Sequence, residues 1–147
     1  MSVTIRDAGR EDLTRLEELE AQCFSLPWTR AQLESQLPDG QHVFLAAEED
    51  GKVLGYVGMM TVLDEGYISN VATAPEARRR GIGRALIAQL MQRAADRELS
   101  FVTLEVREHN EAAIRLYEGF GFKPVGLRKN YYDSPKENAI LMTCYLK

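Results

Sequence analysis

Three features of the sequence predict an α/β fold built on a mixed sheet. Alternating apolar runs flank two tight-turn signals, Asp50-Gly51 and Asp64-Glu65-Gly66, and read as an antiparallel meander. A strand–helix–strand run from Tyr67 to Val106 implies a parallel crossover. The chain has 147 residues, 45% hydrophobic and 27% charged, which is enough to bury a core without disulfides or metal. No linker, repeat or low-complexity run is visible, so residues 1–147 are expected to form a single domain.

The elements follow in order. Val3–Arg6 is a short strand. Leu13, Leu16, Leu19 and Cys23 make one apolar face of a helix from about Glu11 to Cys23, and Glu11 and Asp12 suit its positive end. Phe24-Ser25-Leu26-Pro27-Trp28 breaks that helix, Thr29 caps a second over Arg30–Gln36, and Pro38-Asp39-Gly40 ends it. His42–Glu48, Lys52–Leu63 and Tyr67–Thr73 are the strands of the meander. The apolar period then changes to that of a helix from Gly83 to Glu98, with Ile82, Leu86 and Leu90 in line. Phe101–Val106 is a dense apolar strand of the kind covered on both faces. Asn110 caps a short helix to Glu118, which Gly119 and Gly121 end. Lys123–Tyr132 and Glu137–Leu146 close the chain as a hairpin around Asp133-Ser134-Pro135. The predicted order is β-α-α-β-β-β-α-β-α-β-β, with one parallel strand pair at the centre.

Composition narrows the function. Cys23 and Cys144 are far apart and lack metal-ligand spacing, and His42 and His109 are scattered, so neither a disulfide framework nor a metal site is expected. The uncharged run Val53–Leu63 is too short to span a bilayer, and the acidic first twenty residues lack a signal-peptide core. A cytoplasmic chain without membrane partners is the expectation. The net charge of −4 argues against nucleic acid as a partner.

One segment resists the acidic average. Arg78-Arg79-Arg80-Gly81-Ile82-Gly83-Arg84 joins a strand to a helix start. Glycines let a backbone approach a ligand, a helix start offers unpaired N–H groups, and arginines add ionic hydrogen bonds. The combination suits a pyrophosphate. A Walker loop needs Gly-Lys-Ser/Thr, which is absent, and a dinucleotide fingerprint needs a small residue where Leu86 stands. A self-solvating basic turn is the plain alternative.

Further motifs accompany this turn. Asn70-Val71-Ala72-Thr73, Pro75 and Arg78-Arg79-Arg80-Gly81-Ile82-Gly83 resemble the acyl-CoA signature of the GNAT superfamily of N-acyltransferases. Leu104-Glu105-Val106-Arg107, Asn110, Ala113, Leu116-Tyr117, Gly119-Phe120-Gly121-Phe122 and Asn130-Tyr131-Tyr132 extend the likeness over nearly the whole chain. The branch they most resemble acetylates ribosomal proteins on an N-terminal alanine. The resemblance implies a GNAT-like fold, acetyl-CoA as co-substrate and a protein N-terminus as acceptor. A monomer or weak homodimer is expected.

It also implies residue roles. Val71, Ala72 and Thr73 would present backbone groups to the pantetheine arm, and Arg79, Arg80, Gly81, Ile82, Gly83 and Arg84 would hold the pyrophosphate. Asn110 would contact the coenzyme further along. Glu105 would be the general base and Tyr117 the general acid. Leu26, Pro27 and Trp28, with Tyr131 and Tyr132, would flank the substrate amino terminus.

Each role has a competitor in the residues themselves. Alternation puts Glu105 on the strand face opposite Leu104, where an ion pair with Arg107 is the structural alternative. Tyr117 lies in the stripe Ala113-Leu116-Tyr117-Phe120, which also reads as core. Asn110 is a natural helix cap, and Trp28 can simply seal the helix break. His109 and Glu111, which bracket Asn110, depart from the small neighbours the resemblance leads one to expect. Two other functions stay open at this level: transfer to a small amine or a lysine, and a non-catalytic acyl-CoA-binding module.

Overall fold

The computed structural model describes residues 3–147. The strands are β1 (Thr4–Asp7), β2 (His42–Glu49), β3 (Lys52–Val62), β4 (Glu65–Thr73), β5 (Phe101–Arg107), β6 (Lys123–Asp133) and β7 (Lys136–Tyr145). The helices are α1 (Leu13–Cys23), α2 (Arg30–Ser35), α3 (Ile82–Asp96) and α4 (Glu111–Glu118). One seven-stranded sheet runs in the order β1-β2-β3-β4-β5-β7-β6. Its one parallel pair among the described residues is β4 with β5, and the other neighbours are antiparallel.

The predicted order of elements holds, and the boundaries shift for local reasons. The first helix begins at Leu13 after a 3-10 turn at Arg10–Asp12. There Asp12 turns inward, accepts the Gly9 N–H at 2.8 Å and takes both Nη atoms of Arg6 at 2.8 and 2.9 Å. Arg6 holds the Asp12 carboxyl below its ordinary range. The third helix stops at Asp96, because Glu98 has φ 57°, which no helix accommodates.

The sheet carries helices on both faces of its first half. β3 is buried without a break from Val53 to Met59, the pattern of a strand covered on both sides. Adjacent residues show which helix lies where. A Cβ on Gly55 would meet Ile82 and Leu86 of α3. The Tyr56 hydroxyl accepts from Asn70, which also donates to Glu20 of α1. Successive strand residues point to opposite faces, so α1 and α3 sandwich the sheet. Leu13, Leu16 and Leu19 fill the α1 side, and Ile82, Leu86, Ile87, Leu90 and Ala94 fill the α3 side. Phe44 stacks on Tyr56 with ring centroids 5.2 Å apart.

Gly55 is the tightest point of this sandwich. A Cβ there would stand 2.8 Å from the Ala72 carbonyl and 3.2 Å from Ile82. Gly55→Ala is expected to lower unfolding free energy by about 1–3 kcal/mol, read from the denaturant midpoint at unchanged m value.

Candidate active site

The parallel ladder between β4 and β5 is short. Glu65, Gly66 and Tyr67 pair with Phe101, Val102 and Thr103, and pairing then stops although both strands continue. The β3–β4 register slips at the same place: Met59 faces Ile68, Gly58 faces Asn70, and Ser69 is the extra residue. Such a bulge bends its strand. Between the parting strands lies a cleft of about 640 Å³.

Glu105, Tyr117, Val71 and Asn110 line this cleft together with Leu26, Trp28, Tyr131 and Tyr132. Residues from five separate segments thus meet in one place. The Glu105 side chain is 5% exposed. Its carboxylate accepts the Tyr67 hydroxyl at 2.8 Å through Oε1, with a closer contact at Oε2. Arg128 Nε stands 3.7 Å away on the solvent side. The alternative pairing with Arg107 does not form. Arg107 donates to Glu137 at 3.1 Å and to the Pro135 carbonyl at 2.9 Å, and lies 4.3 Å from the centroid of the Tyr132 ring.

Tyr117 is buried, with its ring against Phe122 at 5.8 Å. It is both core and cleft wall. Burial pushes its phenol up to about 12, so the hydroxyl stays protonated and able to donate at any ordinary pH. Asn110 caps α4 by accepting the Ala113 N–H at 3.2 Å. That uses only its carbonyl oxygen and spares the two N–H donors of the amide. His109 is exposed on the loop, with its backbone N–H on Glu137 at 2.8 Å.

The arginine–glycine turn sits at the start of α3. Gly81 has φ 80° and Arg79 φ 67°, the left-handed region. A Cβ at Gly81 would meet nothing within 4 Å, and one at Gly83 would lie 3.6 Å from Leu116. The space over this helix start is therefore open. The first intrahelical bond runs from Ala85 N–H to the Gly81 carbonyl, which leaves the N–H groups of Ile82, Gly83 and Arg84 without helical acceptors. Ile82 and Ala72 are buried, so only their backbones can face a ligand. Arg84 lies 5.9 Å from the centroid of the Phe120 ring. Arg80 donates to both carboxylate oxygens of Glu49 at 2.7 and 2.8 Å. The Thr73 carbonyl accepts the Cys23 thiol at 3.3 Å. Cys23, read from sequence as core, is half-buried at the cleft wall.

The two flanking loops are held from below. Trp28 is half-buried against the core, and its backbone N–H donates to Glu20 at 2.7 Å. Leu26 is 67% exposed, while Pro27 lies outside the cleft lining. Tyr131 and Tyr132 meet edge to face at 5.1 Å. A hydrogen bond from Ser25 to the Ser134 carbonyl ties one loop to the other.

Two cleft residues escape sequence reasoning. Glu20 is buried, takes the Asn70 amide at 2.6 Å opposite Trp28, and has its carboxyl raised by burial. A signal for it existed, since it falls on the Leu16–Leu19–Cys23 stripe where an apolar residue is expected. Tyr67 gave no such signal, because its role depends on a cross-strand register. Among the described residues no group of three or more His, Cys, Asp or Glu is placed to hold a metal, and no helix is long and apolar enough to cross a membrane.

Comparison with known proteins finds relatives along nearly the whole chain. The pattern of the Acetyltransferase (GNAT) family matches residues 13–122. A [ribosomal protein bS18]-alanine N-acetyltransferase of Haemophilus influenzae is 36% identical over 92% of this chain and 93% of its own. A putative [ribosomal protein bS18]-alanine N-acetyltransferase of Bacillus subtilis is 34% identical over 94% and 92%. The crystal structure of the ribosomal-protein-S18-alanine N-acetyltransferase from Escherichia coli superposes with a TM-score of 0.92 at 31% identity, covering 99% of this chain and 95% of that one.

The raised Glu20 carboxyl fixes the sign of a pH effect. The folded state holds this proton at pH values where the unfolded state has lost it, so the group's contribution to stability falls as pH rises from the ordinary carboxylate range through its raised value. Glu20→Gln removes that slope. The stability of the variant relative to wild type is expected to rise across the same window, measured by denaturant unfolding at a series of pH values.

Proposed function

The chain belongs to the Acetyltransferase (GNAT) family, and from that premise we propose that it transfers acetyl from acetyl-CoA to the N-terminal α-amine of a protein. The acceptor we infer is a ribosomal protein with N-terminal alanine, as the names of its relatives state for those enzymes. The observation that carries the reading is the single cleft in which Glu105 and Tyr117 share walls with two aromatic loops.

Acetyl-CoA supplies an activated thioester carbonyl. The open helix start at Gly81 and Gly83 suits its pyrophosphate, with Arg79 and Arg84 beside it and Arg80 held by Glu49. Val71 lines the cleft, Ala72 and Thr73 continue β4 beyond it as the backbone for the pantetheine arm, and the spare Asn110 amide lines the same cleft.

The amine must be neutral to attack. An α-amine has a pKa near 7.7–8.0, so about a tenth is already neutral at pH 7, against well under one part in a thousand for a lysine. Glu105 takes the ammonium proton, directly or through one water, and the nitrogen then bonds the carbonyl carbon. As the C–S bond breaks, the nitrogen loses its second proton to water in the cleft, and CoA leaves as the thiolate, whose single negative charge matches that released proton. Tyr117 donates its O–H to that sulfur. Its phenol ionises near 12, well above an ordinary thiol at about 8.5. The hydroxyl therefore steadies the thiolate by hydrogen bonding and keeps its own proton at rest. Leu26, Trp28, Tyr131 and Tyr132 pack a small first side chain, with Pro27 stiffening the turn between them.

A panel of peptides with free N-termini, small amines and lysine peptides, incubated with acetyl-CoA and read by mass spectrometry, tests this reading. The expected product is an N-terminally acetylated peptide beginning with alanine. Coenzyme binding with no acetylated product anywhere in the panel defeats it. Glu105→Gln is expected to lower kcat by roughly 10²–10⁴-fold and Tyr117→Phe by roughly 10²–10³-fold, with coenzyme binding by calorimetry retained.

A further inference from the structure

We infer that Tyr67 is a positioning residue for the base: its hydroxyl tethers the Glu105 carboxylate at the point where β4 and β5 part. The inference rests on the reading of Glu105 as the proton acceptor.

Tyr67 is the last β4 residue in register with β5, opposite Thr103. Glu105 lies two residues further along β5 and on the same face as Thr103. A long side chain on the final rung can therefore reach diagonally across the opening to the first carboxylate beyond it. That is what the structure holds, with the Tyr67 hydroxyl within hydrogen-bonding reach of both Glu105 oxygens.

The other groups around this carboxylate do not hold it so closely. Arg128 on β6 stands at 3.7 Å and its side chain is 53% exposed, so solvent screens the pair. Arg107, on β5 itself, is committed to Glu137, the Pro135 carbonyl and the Tyr132 ring. Tyr131 and Tyr132 approach from the end of β6, with Tyr131 close enough to influence Tyr67. Glu65 shares a second hollow of about 350 Å³ with Tyr67, Glu105 and Arg128. Among the described residues, Tyr67 alone supplies hydrogen bonds to the carboxylate.

The tether fixes the direction of the carboxylate lone pairs, and an angstrom of misplacement at a reacting group costs on the order of 10²-fold in rate. Burial and the neighbouring carboxylate drive the Tyr67 phenol well above its ordinary range. The tyrosine therefore always donates and never competes for the amine proton.

A double-mutant cycle tests the assignment. Tyr67→Phe keeps the ring and removes only the O–H. It is expected to lower kcat about ten- to a hundredfold and leave the Kd for acetyl-CoA unchanged. In a Glu105→Gln background the same change is expected to cost less than about twofold. An equal loss in both backgrounds assigns Tyr67 a role independent of Glu105 and overturns the inference. So does a wild-type rate for Tyr67→Phe. A Glu105→Gln enzyme of full activity overturns the base assignment instead, and is told apart by that variant alone.

Discussion

The hydrogen-bond ladder between β4 and β5 ends at Tyr67 and Thr103, and the site occupies the gap beyond. A parallel pair inside a sheet ordinarily runs its full length, because unmet backbone groups are costly. Here two strand edges face one another across a cleft, deep in the sheet and not at its margin. Such edges offer donors and acceptors to whatever enters. The bulge at Ser69 bends β4 away and keeps the strands from closing. The proposed site thus begins with a pairing that the fold withholds.

Several braces hold that opening in shape, and each joins a different segment to it. Glu20 links α1 to Asn70 on β4 and to the backbone of Trp28. Tyr67 and Glu105 join the two strands at the base of the opening. Arg107 gathers Glu137, the Pro135 carbonyl and the Tyr132 ring on the far side. The flanking loops are therefore placed by buried or half-buried polar contacts more than by their own sequences. Satisfied polar networks of this kind specify a geometry rather than add much stability.

This division explains what the sequence could reveal. Regular elements are governed by local periodicity, and all eleven were readable from it. Alternation along Phe101–Arg107 placed Glu105 opposite the buried Val102, Leu104 and Val106. The stripe through Ala113 and Tyr117 placed the phenol. The braces are another matter, since they join residues far apart in the chain. Tyr67 and Glu105 are 38 residues apart, and Glu20 and Asn70 are 50 apart. No window of sequence contains both partners. The same holds for Arg107, whose nearest carboxylate in sequence is Glu108 but whose partner is Glu137 on the neighbouring strand β7.

The pairing of Arg80 with Glu49 bears on affinity at the start of α3. An anion docking there, as proposed above, would meet a guanidinium already ordered by a carboxylate on β2. Little side-chain freedom remains to be lost, so that part of the entropy cost of binding is met in advance. The attraction is also an exchange, because the newcomer must share or replace an existing ion pair. Net affinity is then the difference between two anions competing for one cation. On that reading the site would favour a ligand with many negative oxygens over a single stray carboxylate.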